Sequence, residues 1–163
     1  MELGNQQWLN KILGEFNLTT NQVIQLKQAI ISKSKDRVQE LLNGQNQLYV
    51  DLVNLSISSQ NNTNVLVDFI QRNQLNPALL EVINDMNTLT TSLQNKNIEI
   101  DLSLINEFDY YNGPIFKVYI NNVKKSILRG GRYDYLTKEY GRLTRALGFS
   151  LDVDTLIEEV TIN

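Results

Sequence analysis

The sequence contains neither cysteine nor histidine. The absence of cysteine excludes disulfides, thiolate metal sites and Cys-His catalysis, and the absence of histidine excludes Ser-His catalysis and the commonest remaining metal ligand. The chain also lacks the run of roughly 20 apolar residues that a membrane-spanning helix needs, and MELGNQQWLN does not have the basic and apolar regions of a signal peptide. We therefore expect a cytoplasmic protein that holds no metal and no cofactor.

The chain has 163 residues, 42% of them hydrophobic, which is enough to bury one core or to form one domain with a helical appendage. The net charge is −3, yet the segment from Lys124 to Arg145 carries seven cations against two carboxylates, a net charge of +5. Such a segment is able to attract anions, although any single lysine in it is more often a solvated surface charge.

Apolar residues at three- and four-residue spacing indicate that the first two-thirds of the chain is helical. Helices are predicted near 5–16, from 19 or 20 to 31, over 36–44, 47–55 and 65–71, and over 76–97. We expect Asp36 to cap the third helix and Gly44 to end it in a left-handed conformation. We expect Asn76 to cap the last one, with Pro77 at its first position and Leu93 on its core side.

The hydrophobic period changes from helical to alternating at residue 98. A half-buried strand is predicted over 98–104, with Asp101 and Ser103 on its outer face. Further strands are predicted over 114–120, 123–129 and 145–154, with a turn at 121–122, a turn or bulge at Gly130 and Gly131, and Asp154 as the cap of a last helix. This pattern predicts an α+β fold in which a mainly antiparallel sheet packs on helices.

Three segments follow one another in this region: NEFDYYNGPIFKVY (106–119), ILRGGRYDYL (127–136) and ALGFSLDVDTLIEE (146–159). They resemble the segments RGLDYYTGxVFE, GGRYD and GFxxGxER of the core shared by histidyl-tRNA synthetases and their non-synthetase relative, the regulatory subunit of ATP phosphoribosyltransferase. ELGNQQWLNKIL (2–13) also resembles the strand-to-helix segment that precedes the helical insertion of these proteins. The resemblance implies a partial class II aminoacyl-tRNA synthetase-like antiparallel sheet in residues 1–17 and 98–163, with a helical insertion and connecting helix in 18–97.

The resemblance also implies a histidine-like ligand pocket, at Tyr111, Tyr133, Gly130, Gly131 and Asp109. Tyrosine rings and hydroxyls suit a flat, polar imidazole, and glycines let the backbone approach a ligand closely. The competing interpretation is a tyrosine pair that only fills the core. Arg129 and Arg132, which flank the glycines, are expected to contact an anion or a partner protein. The RGGR sequence alone is a weak signal, because it matches neither the Walker A nor the Rossmann pattern.

Two departures from the synthetase segments indicate that the chain is not catalytic. The arginine that opens RGLDYY falls on Asn106, and the arginine that closes GFxxGxER falls on Thr155. Neither an amide nor a hydroxyl supplies the bidentate cation that steadies developing negative charge, a loss typically worth a few kcal/mol. The family's first two motifs, which form its dimer interface, should lie upstream of Glu2. We therefore expect Met1 to begin a fragment of a longer protein, which self-associates through a part of the core outside this chain.

Three functions remain open from the sequence. The first is a non-catalytic regulatory subunit of ATP phosphoribosyltransferase, whose implied partner is the short-form catalytic subunit and whose implied ligand is histidine. In such assemblies the regulatory subunit is needed for activity and for feedback control of the first step of histidine biosynthesis. The second is a fragment of a histidyl-tRNA synthetase, and the third is an anion- or nucleic-acid-binding module that uses the basic segment.

Overall fold

The computed structural model describes residues 1–58, 62–93, 97–106, 110–120, 123, 125–142 and 144–162, with the side chains of 159–162 left aside. In chain order the elements are β1 (Glu2–Asn5), α1 (Gln6–Leu13), α2 (Thr20–Ile31), α3 (Lys35–Leu41), α4 (Gln47–Ser58), α5 (Thr63–Arg72), α6 (Ala78–Leu93), β2 (Glu99–Ile100), β3 (Pro114–Val118), β4 (Leu128–Arg132), α7 (Asp134–Glu139), β5 (Leu147–Leu151) and α8 (Val153–Ile162). The predicted helices over the first two-thirds of the chain are therefore confirmed.

Side-chain caps fix where several helices begin. Thr19 precedes α2 and forms a capping box with Gln22, in which each side chain bonds the other's backbone N–H. The Asn76 Oδ1 accepts a hydrogen bond from the Ala78 N–H at 3.0 Å, which confirms the predicted cap, and α6 begins at Ala78, one residue after Pro77. Gly44 has a φ of 80°, in the left-handed region that was predicted for it, but it does not end α3, which stops at Leu41 with Leu42 as its cap.

Three helix-end predictions are wrong. Ser34 rather than Asp36 precedes α3, so Asp36 lies inside the first turn. At α8 the Thr155 N–H donates to the Asp152 Oδ1 at 3.2 Å, because the helix begins at Val153 and leaves Asp154 within its first turn. Leu93 does not face the core, since it ends α6 and is 53% exposed.

The five strands form one sheet in the order β2-β1-β3-β4-β5. The β1-β2 pair is parallel and the other three pairs are antiparallel, which confirms the predicted mainly antiparallel sheet. Gly130 and Gly131 lie inside β4, so the predicted turn or bulge is wrong there. The turn predicted at 121–122 lies outside the described residues.

The strand predicted over 98–104 ends at Ile100, and of its predicted outer face only Glu99 is exposed. Asp101 and Ser103 are only 4% and 3% exposed. The Asp101 Oδ1 accepts a hydrogen bond from the Ser103 N–H at 2.9 Å, and the Leu104 N–H donates to the Asp101 carbonyl at 3.0 Å. This local turn replaces strand pairing, so the polar side chains turn inward together with their apolar neighbours.

One hydrophobic cluster joins the helices to the sheet. It includes Leu3 from β1, Trp8 from α1, Leu52 from α4, Met86 from α6 and Ile100 from β2. The buried Trp8 indole N–H donates to the Ser56 Oγ at 3.1 Å, which satisfies its polar group inside the core. The predicted division at residues 17 and 98 stays a prediction. Within the described part of the chain, no helix is long and apolar enough to cross a membrane.

Candidate functional site

A cavity of about 380 Å³ lies against β3 and β4, beneath the chain that leads from β2 into β3. Its lining comprises Ile31, Leu104, Ile105, Asn106, Tyr110, Tyr111, Ile115, Phe116, Lys117, Arg129, Gly130 and Ser150. Its volume is in the usual range for a small-molecule pocket, which is 300–1,000 Å³. Of the predicted pocket residues, Tyr111 and Gly130 line the cavity.

Three tyrosines form one cluster at this cavity. The Tyr110 and Tyr111 ring centroids are 4.1 Å apart at an interplanar angle of 40°, and Tyr110 meets Tyr133 edge-on with centroids 6.5 Å apart. Tyr133 does not line the cavity but packs behind it, against the buried cluster of Leu104, Tyr111 and Ile115. Of the two tyrosines that sequence analysis assigned to a ligand pocket, Tyr111 lines the cavity and Tyr133 packs behind it, and their role in binding stays a prediction.

Burial strengthens the hold of Tyr111 on its proton. Desolvation, followed by a hydrogen bond with Tyr110, raises the pKa of Tyr111 well above the ordinary value for tyrosine, while the charge of Arg129 acts in the opposite direction. The Tyr111 hydroxyl, protonated at neutral pH like any ordinary tyrosine, therefore stays protonated in alkaline solution as well. It is a group for hydrogen bonding rather than for accepting a proton.

The two glycines of β4 lie so close to neighbouring atoms that a side chain would not fit at either position. A Cβ on Gly131 would lie 2.9 Å from the Tyr111 Cδ1 and 2.8 Å from the Pro114 carbonyl oxygen. A Cβ on Gly130 would lie 2.3 Å from the Gly148 carbonyl oxygen. Gly131 therefore supports the position of the Tyr111 ring from behind, whereas Gly130 itself lines the cavity.

The loop that carries Tyr110 and Tyr111 is tied to the sheet by Asn112, which sequence analysis did not single out. The Asn112 N–H donates to the Arg132 carbonyl at 2.9 Å, and its Oδ1 accepts from the Asp134 N–H at 2.9 Å. Its carbonyl accepts from the Gln7 Nε2 at 2.8 Å. Its position in the YYNG segment was the available signal, since asparagine often bonds nearby backbone in tight loops.

A row of polar side chains crosses the sheet at the floor of the cavity. Lys117 is the cross-strand partner of Arg129, Arg129 is the partner of Ser150, and Lys117 is also the partner of Glu2. Directly opposite residues point to the same face of a sheet, so the two cations are side by side. Sequence analysis did not single out Lys117, because its position beside Arg129 depends on strand register, which the sequence pattern does not give.

Arg132 lies on the other face of β4 from Arg129, because successive residues of a strand alternate in direction. Its Nε donates to the Asp134 Oδ2 at 2.7 Å, and it does not line the cavity. The basic segment is therefore divided between the two faces of the sheet. Asp109 and Lys124 lie outside the described residues.

The two positions that depart from the synthetase segments have different surroundings. Asn106 lines the cavity, and its N–H donates to the Oε1 of the buried Gln6 at 3.1 Å. Thr155 lies in the first turn of α8 and does not line this cavity. Among the described residues, no group of three or more aspartates and glutamates is placed to hold a metal ion. The groups that the cavity does offer, two tyrosines and two cations, are able to contact an aromatic ring and an anionic group.

Comparisons with known proteins agree with the resemblance that the three motif segments indicated. Residues 1–156 match the family model of histidyl-tRNA synthetase. The chain is 28% identical over 170 residues to the ATP phosphoribosyltransferase regulatory subunit of Clostridium novyi, covering 99% of this chain and 40% of that protein. It is 38% identical over 86 residues to the protein of the same name from Clostridium botulinum, covering 50% of this chain and 20% of the relative. The chain therefore spans less than half the length of these relatives.

Solved structures show the same fold. A protein from Bacillus halodurans, described as an ATP phosphoribosyltransferase regulatory subunit/histidyl-tRNA synthetase, superposes with a TM-score of 0.81 at 19% identity, over 96% of this chain and 43% of that one. The HisG:HisZ complex of ATP phosphoribosyl transferase from Thermotoga maritima contains a chain that superposes with a TM-score of 0.64 at 20% identity, over 92% of this chain and 52% of that one. The expected class II synthetase-like architecture is confirmed, and the chain belongs to the histidyl-tRNA synthetase family.

Proposed function

We propose that this chain is part of a non-catalytic regulatory subunit of ATP phosphoribosyltransferase, in which residues 1–17 and 98–163 form the synthetase-like core and 18–97 the helical insertion. The subunit assembles with a short-form catalytic subunit, supports its transfer of a phosphoribosyl group to ATP, and transmits feedback inhibition by histidine. The names of the curated relatives support this function, as does the structural likeness to a chain of the HisG:HisZ complex.

The observation that carries the proposal is Asn106. It lines the cavity beside Tyr110 and Tyr111, at the position where the synthetase segment has arginine. An uncharged amide there keeps the shape of a ligand pocket but cannot stabilise the negative charge that develops when an amino acid is activated. A retained pocket without this cation fits a protein that senses a ligand rather than one that converts it.

Histidine is the ligand that best fits this pocket under the proposal. Its imidazole ring is planar and polar, and the protonated Tyr111 hydroxyl and the paired tyrosine faces suit such a ring. Feedback then requires histidine to bind one state of the assembly better than another, with a coupling free energy of typically 1 to 3 kcal/mol.

The test is reconstitution of the full-length protein with a short-form catalytic subunit. We expect phosphoribosyl-ATP formation to need both proteins and to fall when histidine is added. Removing the Tyr111 hydroxyl with Tyr111→Phe should raise the histidine concentration for half-inhibition by about 3- to 10-fold, because one hydrogen bond is lost while the ring remains. Tyr140→Phe is the matched control, since Tyr140 is 81% exposed and does not line the cavity.

Histidine-dependent exchange of pyrophosphate into ATP by the full-length protein alone would contradict the proposal and identify a synthetase. A catalytic subunit whose rate is unchanged by the added protein would also contradict it. Binding of duplex nucleic acid that weakens steeply with added salt would instead support the anion-binding alternative.

A further inference from the structure

We propose that Lys117 and Arg129 form an anion-binding subsite of this cavity, which holds the carboxylate of the ligand whose ring lies on the tyrosines. The inference rests on the proposed function, because it takes histidine as the ligand. It assigns the charged end of that ligand to one residue that departs from the synthetase segments and to one just outside them. The segment RGLDYYTGxVFE ends in glutamate where this chain has Lys117, and Arg129 directly precedes the GGRYD segment.

The two cations converge on the cavity through strand register. Lys117 and Arg129 are direct partners in the antiparallel β3-β4 pair, and both line the cavity. In such a pair the Cβ atoms are about 4.5–5.5 Å apart, which lets two long side chains reach one carboxylate from the same side. Ser150, the next residue in the row, lines the cavity as well and offers a hydroxyl donor.

The cations of this pair have no carboxylate partner among the described residues, unlike Lys33, Arg37, Lys125 and Arg132, which each form an ion pair with an aspartate or glutamate. The Glu2 carboxylate, on the strand beside Lys117, instead accepts a hydrogen bond from the Tyr119 hydroxyl at 2.9 Å. Like charges directly opposite in a sheet repel each other, and a bound anion would relieve that repulsion.

The same cavity has both a positive and an aromatic part. Tyr110 and Tyr111 line it together with Lys117 and Arg129, and the charge of Arg129 acts against the rise in the pKa of Tyr111, so the cation lies within electrostatic range of that hydroxyl. A second cavity of about 320 Å³ shares Arg129 and Ser150 with the first, and Arg129 is exposed, so solvent reaches the positive part of the site. The geometry therefore fits a small ligand with a planar ring at one end and a carboxylate at the other.

The experiment compares histidine with histidinol, which has the same ring and amine but no carboxylate, by calorimetric titration of the full-length protein. We expect histidine to bind at least 10-fold more tightly. Lys117→Gln and Arg129→Gln should each weaken histidine binding by about 10-fold or more, as expected for loss of a charge-assisted hydrogen bond, and leave histidinol binding within 2-fold. Lys138→Gln, on exposed α7, should leave both unchanged.

Unchanged histidinol binding shows that each variant remains folded, and Lys117→Arg should retain most of the histidine affinity because it keeps the charge. Equal affinity for histidine and histidinol would overturn the subsite, as would wild-type histidine affinity in both glutamine variants or a failure of histidine to bind at all. These binding results are independent of the reconstitution assay. Activation of the catalytic subunit without a carboxylate preference would therefore refute the subsite and leave the regulatory function standing.

Discussion

At the scale of single residues, Asp134 connects three parts of the structure. Its Oδ2 accepts from the Arg132 Nε at 2.7 Å, and its Oδ1 accepts from the Ala146 N–H at 2.9 Å. Its own N–H donates to the Asn112 Oδ1. Bonding to Arg132, followed by the Ala146 N–H, lowers the pKa of Asp134 to about 2. One carboxylate thus joins the tyrosine loop, β4 and the start of β5.

Acid should therefore destabilise the fold through Asp134. A carboxyl group whose pKa is lower in the folded state than its unfolded value of about 3.9 contributes stability above that value. The contribution is lost as the pH falls from about 4 through about 2. We expect Asp134→Asn to flatten the fall in melting temperature over this window, measured by circular dichroism. An equally steep fall in the variant would contradict the stabilising role of Asp134. The control is Asp154→Asn, which changes an exposed residue and should leave the steepness unchanged.

At the residue scale, sequence analysis singled out some of the residues at the cavity and not others, for physical reasons. Tyr111 and Gly130, which line it, were identified because they belong to motifs that are local in the sequence. Lys117 was not, because pairing of β3 with β4 brings Arg129 to it, and Asn112 was not, because its partner Asp134 lies 22 residues further along the chain. Contacts of this kind follow from register, which a one-dimensional pattern does not contain.

At the scale of elements, β4 depends on two glycines, because its neighbours leave no room for a side chain at Gly130 or Gly131. Gly130 faces the Gly148 carbonyl oxygen of β5 so closely that an added Cβ would come within 2.3 Å of it. The clash is with backbone, so it is relieved only by moving a strand. A close approach of this kind, rather than a turn, explains the glycine pair that the sequence led us to expect at a bulge.

Gly130→Ala should lower the free energy of unfolding by about 1–3 kcal/mol, the usual cost of forcing extra volume into a packed region. Gly14→Ala is the matched control, because Gly14 has helical backbone angles and an added Cβ there would be no closer than 3.5 Å to a neighbour. We expect that variant to be neutral or up to about 1 kcal/mol more stable. Urea denaturation of both variants provides the measurement, and equal midpoints would refute the close-approach explanation.

Helices were easier to predict than strands at this scale. The apolar spacing of α2, α4 and α6 is visible along the chain, and the caps at Thr19 and Asn76 are local hydrogen bonds. The strand predicted over 98–104 failed because a buried Asp101 turns the chain after Ile100. An alternating pattern signals a strand only when its polar residues face water, and Asp101 and Ser103 are instead satisfied by one another.

At the scale of the whole molecule, Asp101 also connects the helical part to the sheet. The Lys33 Nζ, just after α2, lies 2.8 Å from the Asp101 Oδ2, although the two residues are 68 positions apart. The Asp101 side chain is buried, whereas that of Lys33 is 41% exposed. This contact could not be predicted from the sequence. Neither residue belongs to a motif, and the chain contains many other residues of opposite charge with which each could pair.

Asp101→Ala should lower the free energy of unfolding by about 2–4 kcal/mol, because it leaves the buried Ser103 donors without their acceptor and removes the partner of Lys33. Glu40→Ala provides the comparison, since the Glu40 pair with Arg37 is exposed on α3, and we expect a change below about 1 kcal/mol there. Chemical denaturation of both variants measures the difference. Similar losses in the two variants would show that Asp101 does not stabilise the fold more than a surface carboxylate.

The position of β1 between β2 and β3 has a consequence for biosynthesis. Glu2 and Leu3 pair with Glu99 and Ile100 on one side and with Lys117 and Phe116 on the other. Within this chain β1 is therefore made about a hundred residues before the two strands that flank it. Its ladder hydrogen bonds to β2 and β3 cannot form until those strands exist, while the helices made in between already have their local contacts. Pairing of β1 with its two neighbours is thus a non-local step that follows helix formation.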